Sequence, residues 1–160
     1  MSIITDAHEA LIDHLRDVSW TDSQGATRKF DHVAEHEPPQ APGKGIYAAV
    51  WFDDIRPSAE MSTLSGAAMV YTYNVRMYRR TTSSPADSID PDLVAALDAV
   101  LESVFGDARL GDTAYTVDVL GAYSAGVSAV TDYVDFGRND WYRVVDLTLP
   151  IVGKGEIAYG

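Results

Sequence analysis

From Met69 to Tyr78 the sequence MVYTYNVRMY alternates without a break. Met69, Tyr71, Tyr73, Val75 and Met77 fall on one side, and Val70, Thr72, Asn74, Arg76 and Tyr78 on the other. A period of two held over ten residues is the signature of a strand, and the aromatic and β-branched content is what a pleated surface favours. One side is apolar throughout and needs a cover; the other becomes polar toward its end. A second run, GIYAAVWFDD, sets Ile46, Ala48, Val50 and Phe52 against Tyr47, Ala49 and Trp51. A strand apolar on both faces belongs at the centre of a sheet or at an interface.

The cover comes from two helical patterns. Ile4, Ala7, His8, Leu11, Ile12 and Leu15 recur at helical spacing over residues 3 to 17, with Thr5 or Ser2 available as a cap and Asp6, Glu9, Asp13 and Arg16 on the opposite face. Further on, Asp90 reads as an N-cap followed by Pro91 at the first helical position, with Asp92 adding negative charge near the positive helix end. Leu93, Leu97, Val100, Leu101 and Val104 then form a buried stripe that ends before Gly106.

The remaining segments read as strands and connections. KFDHVAEH is a short strand, EPPQAPGKG an exposed loop with three prolines and two glycines, and RPSAEMSTLSG a connection. TAYTVDVLG, SAVTDYVDF and WYRVVDLTLPIV are three more strands, the last two joined by GRND as a tight hairpin, and residues 153–160 form a loose tail. The order predicts one α+β domain over residues 1–160. It has a mostly antiparallel sheet of about five or six strands flanked by two helices, with no repeat or linker dividing it.

Charge narrows the function classes. Twelve Lys and Arg face 24 Asp and Glu, a formal charge of −12 spread along the chain. A nucleic-acid groove needs a basic footprint that such a chain lacks. There is no cysteine, which removes disulfides, thiolate nucleophiles and cysteine metal sites. The opening MSIITDAHEALIDHL carries acids where a signal peptide needs basic residues, and no stretch approaches the length of a membrane span. The expectation is a chain that stays in the compartment where it is made, or leaves by another route.

The motifs that could carry catalysis do not converge. AYSAG at 122–126 has Ala122 where a serine-hydrolase elbow has glycine, and a strand follows it instead of a helix, so a turn containing Ser124 is expected. His32 and His36 are spaced like ligands on a helix, but HVAEHEPP runs straight into prolines. Asp53 and Asp54 are neighbours on a strand and point to opposite faces unless the strand bends. GKG at 43–45 lacks the pattern of a phosphate loop. The sequence therefore predicts no enzyme, no catalytic residue, no metal and no cofactor.

Arg79 and Arg80, in YRRTTSS, stand out on an acidic chain. Three roles are open: a phosphate contact, protection of a strand end against unwanted pairing, and a basic spot that receives an acidic patch of an identical neighbour. The first lacks companion bases in the sequence, Arg76 being the one nearby.

GIYAAVWFDDIRP, SIDPDLVAALDAVLESVFGDARLG and VDVLGAYSAGVSAVTDYVDFGRNDWYRVVDLTLPIV span most of the chain from Gly45 to Val152. Together they resemble, in order and texture, the tail terminator proteins of phages with long non-contractile tails. The resemblance implies a small α+β subunit that assembles into a six-membered ring on the end of the tail tube, stops tube polymerisation and offers the surface to which neck proteins attach. The implied partners are copies of itself, the major tail tube protein and a neck or head-completion protein, with DNA passing through without specific binding. The implied location is the tail–neck junction of the virion, after assembly in the host cytoplasm. The aromatic strand, the loop after it and the C-terminal hairpin are the regions of interest. Tyr78, Arg79, Arg80, Trp51 and Tyr123 are the candidate subunit or tube contacts. The alternatives are a neck or head-completion connector and a small ligand-binding or hydrolytic domain.

Overall fold

The computed structural model describes residues 3–160, with side chains from Thr5 onward. Ser2, one of the two expected caps, lies outside them. Helix α1 covers Ile3–Asp17 and helix α2 covers Ile89–Gly106. The strands are β1 (Trp20–Thr21), β2 (Thr27–Arg28), β3 (His32–Ala34), β4 (Ile46–Ser58), β5 (Gly66–Arg80), β6 (Ala114–Val117), β7 (Ser128–Asp135), β8 (Trp141–Gly153) and β9 (Ile157–Ala158).

The alternating stretch lies within β5, the middle strand of the sheet. It is antiparallel to β4 on one side and to β8 on the other, and β7 and β6 share the far side of β8. Among the described residues only β3, beside the start of β4, runs parallel to its neighbour. The architecture is α+β, with a mostly antiparallel sheet and two helices. Tyr71, Tyr73, Val75 and Met77 of β5 join Ile46, Ala48 and Val50 of β4 and Val145, Leu147, Leu149 and Ile151 of β8 in the main core. Leu11 and Leu15 from α1 and Leu93, Ala96, Val100 and Val104 from α2 close over them. The period of two on the strands and 3.6 on the helices thus meet in one layer of side chains.

The other face of the sheet carries a smaller cluster of Ala49, Tyr78, Tyr142 and Val144, flanked by Tyr47, Trp51, Val134 and Phe136. This answers why β4 is apolar on both sides: its second face is covered within the chain. The cover includes the proline-rich loop, expected to be exposed. Gly43 N–H donates to the Tyr142 hydroxyl at 2.9 Å, the hydroxyl donates back to the Gly43 carbonyl at 3.2 Å, and Ala41 packs on the cluster.

Four boundaries differ from expectation for physical reasons. β4 does not stop at Asp54 but continues through Arg56, Pro57 and Ser58, paired with β5. Proline is tolerated there because β3 pairs only with Tyr47 to Ala49 of β4, leaving the rest of that edge open. Asp90 is not the cap of α2. A 3-10 turn, Ala86–Ser88, leads into the helix, Ser88 occupies the cap position, and Asp90 turns to Arg143, whose Nε donates to it at 3.0 Å. The helix includes Gly106 instead of ending before it. Finally, the loose tail is tied down: β9 pairs with Gly66 and Ala67, Tyr159 N–H donates to the Ser65 carbonyl, and Lys154 meets Asp112 at 2.9 Å.

Candidate functional site

Arg79 and Arg80 end the central strand, so they cannot guard an edge. Arg79 sits between Ile46 and Arg143, and Arg80 sits beside Tyr142. That removes edge protection as their role. Both side chains are largely covered. The Arg79 guanidinium lies 3.9 Å from Asp92, a buried carboxylate that also accepts the Ser23 N–H at 2.9 Å. The Arg80 guanidinium donates to Asp140 at 3.3 Å and lies over the Tyr142 ring, 5.4 Å from its centroid.

Arg76 is no companion to them. It is held by Asp146, directly opposite on β8, in a bidentate pair of 2.5 and 3.1 Å, with its guanidinium 5.3 Å from the Trp51 ring centroid. A different base fills that place. Lys44, at the end of the proline-rich loop, joins Arg79, Arg80, Thr82, Ser83 and Ser84 around an open cleft of about 350 Å³. Its lining residues include three basic and three hydroxyl ones, but Arg79 and Arg80, as neighbours on a strand, send their guanidinium groups to opposite faces, toward Asp92 and toward Asp140 and Tyr142. Sequence separation hid this grouping, because Lys44 reaches it only through the β4–β5 register.

The other candidate contacts are dispersed. Tyr78 is buried at 1% exposure among Phe136 and Tyr142, and burial pushes its phenol up to about 12. It offers no surface in the single chain. Trp51 is half-buried under Arg76, and Tyr123 stands edge-on to Tyr115 at 6.2 Å on another part of the molecule.

Ser124 occupies a turn, as expected, and its hydroxyl donates to Asp118 at 2.6 Å. Asp118 is 3% exposed and also accepts the backbone N–H groups of Gly121, Ala122 and Tyr123. Burial alone would raise this carboxyl; the bonds from Ser124, Tyr123 and Ala122 outweigh it and hold Asp118 below the usual carboxylate range. Ser124 therefore fixes a loop. His32 packs near Tyr47, while His36 meets the Glu37 carbonyl at 3.2 Å, and the two do not converge. Asp53 and Asp54 do share a cleft, of about 390 Å³, because a bulge between Phe52 and Asp54 breaks the strand alternation. Arg56 neutralises Asp54 at 3.2 Å.

One constellation had no sequence signal. His14 of α1 meets Ser103 of α2 at 2.7 Å through Nδ1 and Asp107, the residue that follows α2, at 2.8 Å through Nε2. The order of groups is that of a hydrolytic triad. Ser103, however, lies inside a regular helix whose backbone N–H groups are already bonded, leaving no oxyanion donors beside it. The three residues tie the ends of the two helices together.

Two stretches of sheet edge are open among the described residues. Every residue of β7 except Val134 is exposed, with Val130 at 63% and Tyr133 at 55%, and only β8 pairs with it among the described residues. On the opposite edge, β4 beyond Ala49 is unpaired on its outer side among the described residues and exposes Phe52 and Ile55. Such edges carry rows of unpaired N–H and C=O groups; here β4 bears Asp53, Asp54, Arg56, Pro57 and a bulge, and β7 bears Asp132 and Asp135, features that restrict which strand can pair with them. No family model matches this chain, and no curated protein matches it.

Proposed function

We propose that the chain is a structural virion protein that forms a ring on the end of a phage tail tube, ends tube polymerisation and presents the head-joining surface. The observation that carries this is the pair of open edges on opposite sides of one sheet. A contact between β7 of one copy and β4 of the next is heterologous, the kind of contact that builds a ring when its rotation closes and a filament when it does not. The likeness of the long segments to tail terminators supplies the context and the copy number of six.

The charge supports the same role. Six copies carry 6 × (−12) = −72, and an acidic channel wall repels DNA and lets it pass without sticking. The partners of the ring are further copies of the chain, the major tail tube protein and a neck protein, at the tail–neck junction of a virion assembled in the host cytoplasm. No described helix is long and apolar enough to cross a membrane.

Sedimentation and negative-stain imaging of the purified chain, alone and with tail tubes, test this reading. Rings, free or on tube tips, are expected. A chain that stays monomeric at high concentration and leaves tubes uncapped refutes the role, and binding to the portal side instead of the tube makes it a neck connector.

A further inference from the structure

The pairing registers fix which backbone groups point outward on the two open edges. Ile46 donates its N–H to the Asp31 carboxylate and accepts the Asp31 N–H on its carbonyl, so both groups turn away from β5. Ile46 faces Arg79, and steps of two along β5 lead to Tyr71 and Met69, whose partners past the bulge are Ile55 and Pro57. Ile55 and Pro57 therefore also point outward, and the proline stands where the ladder needs no N–H. On β7, the Phe136 N–H bonds the Asp140 carbonyl inside the hairpin, so Asp135, Tyr133 and Thr131 point outward in turn. The Tyr133 N–H agrees, with the Asp132 carboxylate as its acceptor at 2.8 Å.

The side chains sort by face. Ile55 is opposite Tyr71 on the helix-covered face, and Tyr133 shares that face with Thr131, which is opposite the core residue Val145. Arg56 and Asp132 lie on the other face, Asp132 opposite Val144 of the smaller cluster. All four are exposed. Arg56 is the one base on β4 or β7, and it stays four-fifths exposed beside Asp54, with room for a second carboxylate. The edge past Ala49 is clear, because the chain leaves β3 at Ala34 and crosses the sheet, where Glu37 reaches Arg76 and Gly43 reaches Tyr142.

We propose that β7 of one copy adds to β4 of the next as an antiparallel strand in one register, with Tyr133 opposite Ile55, Asp132 opposite Arg56 and Thr131 opposite Pro57. The inference rests on the ring reading and names its contact. Outward residues then meet outward residues: Ile55 and Tyr133 exchange both backbone bonds, and the Thr131 N–H finds the Pro57 carbonyl. An apolar pair forms on the helix-covered face and an ion pair on the other. The Asp132 carboxylate releases the Tyr133 N–H to the Ile55 carbonyl as it turns to Arg56. A slip of one residue crosses the faces and turns inward groups to the junction; a slip of two sets Asp132 against Asp54 or against the buried Ser58. Each copy is displaced along the strands relative to its neighbour, which a closed ring accommodates by tilting its strands, as barrels do.

Paired substitutions test the register. Arg56→Asp and Asp132→Arg are at exposed positions, and circular dichroism checks that each keeps the fold. Each alone is expected to weaken association about fivefold in analytical ultracentrifugation, and R56D/D132R together to restore most of it. The chain has no cysteine, so Ile55→Cys/Tyr133→Cys reports the contact covalently. Residues opposite each other in a bonded pair stand about 5.5 Å apart at Cα, within disulfide reach, so oxidation should link successive copies in the double variant and none in either single one. Rings whose double-cysteine variant does not link, or a charge swap that restores nothing, overturn the register and leave the ring reading standing. Linked dimers from Thr131→Cys alone would mean that β7 pairs with its own copy about a two-fold axis, and overturn the contact with β4. A wild type that never associates, alone or on tubes, overturns both the register and the ring.

Discussion

Replacing Asp118 by asparagine should release the loop from Asp118 to Val127. The carboxylate accepts four bonds there, 3.1 Å from Gly121, 2.8 Å from Ala122, 3.0 Å from Tyr123 and 2.6 Å from the Ser124 hydroxyl. An asparagine keeps one oxygen, so one pair of donors retains an acceptor and the other pair meets an NH2 group. Losing a charge-assisted acceptor at a buried position costs about 2–3 kcal/mol, and for a domain of this length each kcal/mol moves the Tm by roughly 2–4 °C. The variant should therefore melt roughly 5–10 °C lower at pH 7.

The pH dependence sharpens the test. The folded state holds Asp118 below its unfolded value of about 3.9, so its contribution is fully present above that pH and is lost as pH falls through the folded value. Urea titrations of wild type and Asp118→Asn at pH 7 and near pH 3 should show the gap narrowing in acid, as the wild type loses the charge that the variant never had. A variant within about 0.5 kcal/mol of wild type at pH 7, or a gap that does not change with pH, refutes the account of the loop.

Two further substitutions probe the frame on which the edges are carried. Asp146→Ala leaves Arg76, one-fifth exposed, with the exposed Glu37 at 3.4 Å as its remaining carboxylate, and should cost about 1–3 kcal/mol in chemical denaturation, with Arg76→Met/Asp146→Leu recovering most of it. His14→Ala removes both bonds that join α1 to Ser103 and Asp107, for an expected loss of about 1–2 kcal/mol, with faster amide exchange in the last turns of both helices as its local signature.

Elements with one sustained period were legible in the sequence. β5 and both helices follow from periodicity, because in each the buried face and the local period agree, and β8 follows from its apolar, β-branched run although its burial does not alternate. What escaped was set by partners distant in the chain. The proline-rich loop reads as solvent-exposed from composition, yet a hydroxyl at Tyr142 captures Gly43, 99 residues away. Edge protection by Arg79 and Arg80 required knowing the strand order, and no local pattern shows that β5 is central. Asp53 and Asp54 share a cleft only because of a bulge. Lys44 joins the arginines through register, and the histidine at position 14 finds Ser103 across 89 residues. Local physics fixes which residues are buried. Long-range pairing decides which polar groups meet.

The arginines that first stood out are thus neither loose nor at an edge; Arg79 turns to Asp92 and Arg80 to Asp140 and the Tyr142 ring. The backbone left open to another molecule, among the described residues, lies along β7 and the later part of β4, on opposite sides of one sheet. Under the proposed role these would be the two non-identical sides through which one subunit meets the next.

The most direct test is electron microscopy of purified tail tubes incubated with the chain. The account expects one closed ring with an axial opening on a single end of each tube, and tubes that no longer elongate when tube protein is added. Tubes that keep growing at both ends, with no added density on either, would contradict it.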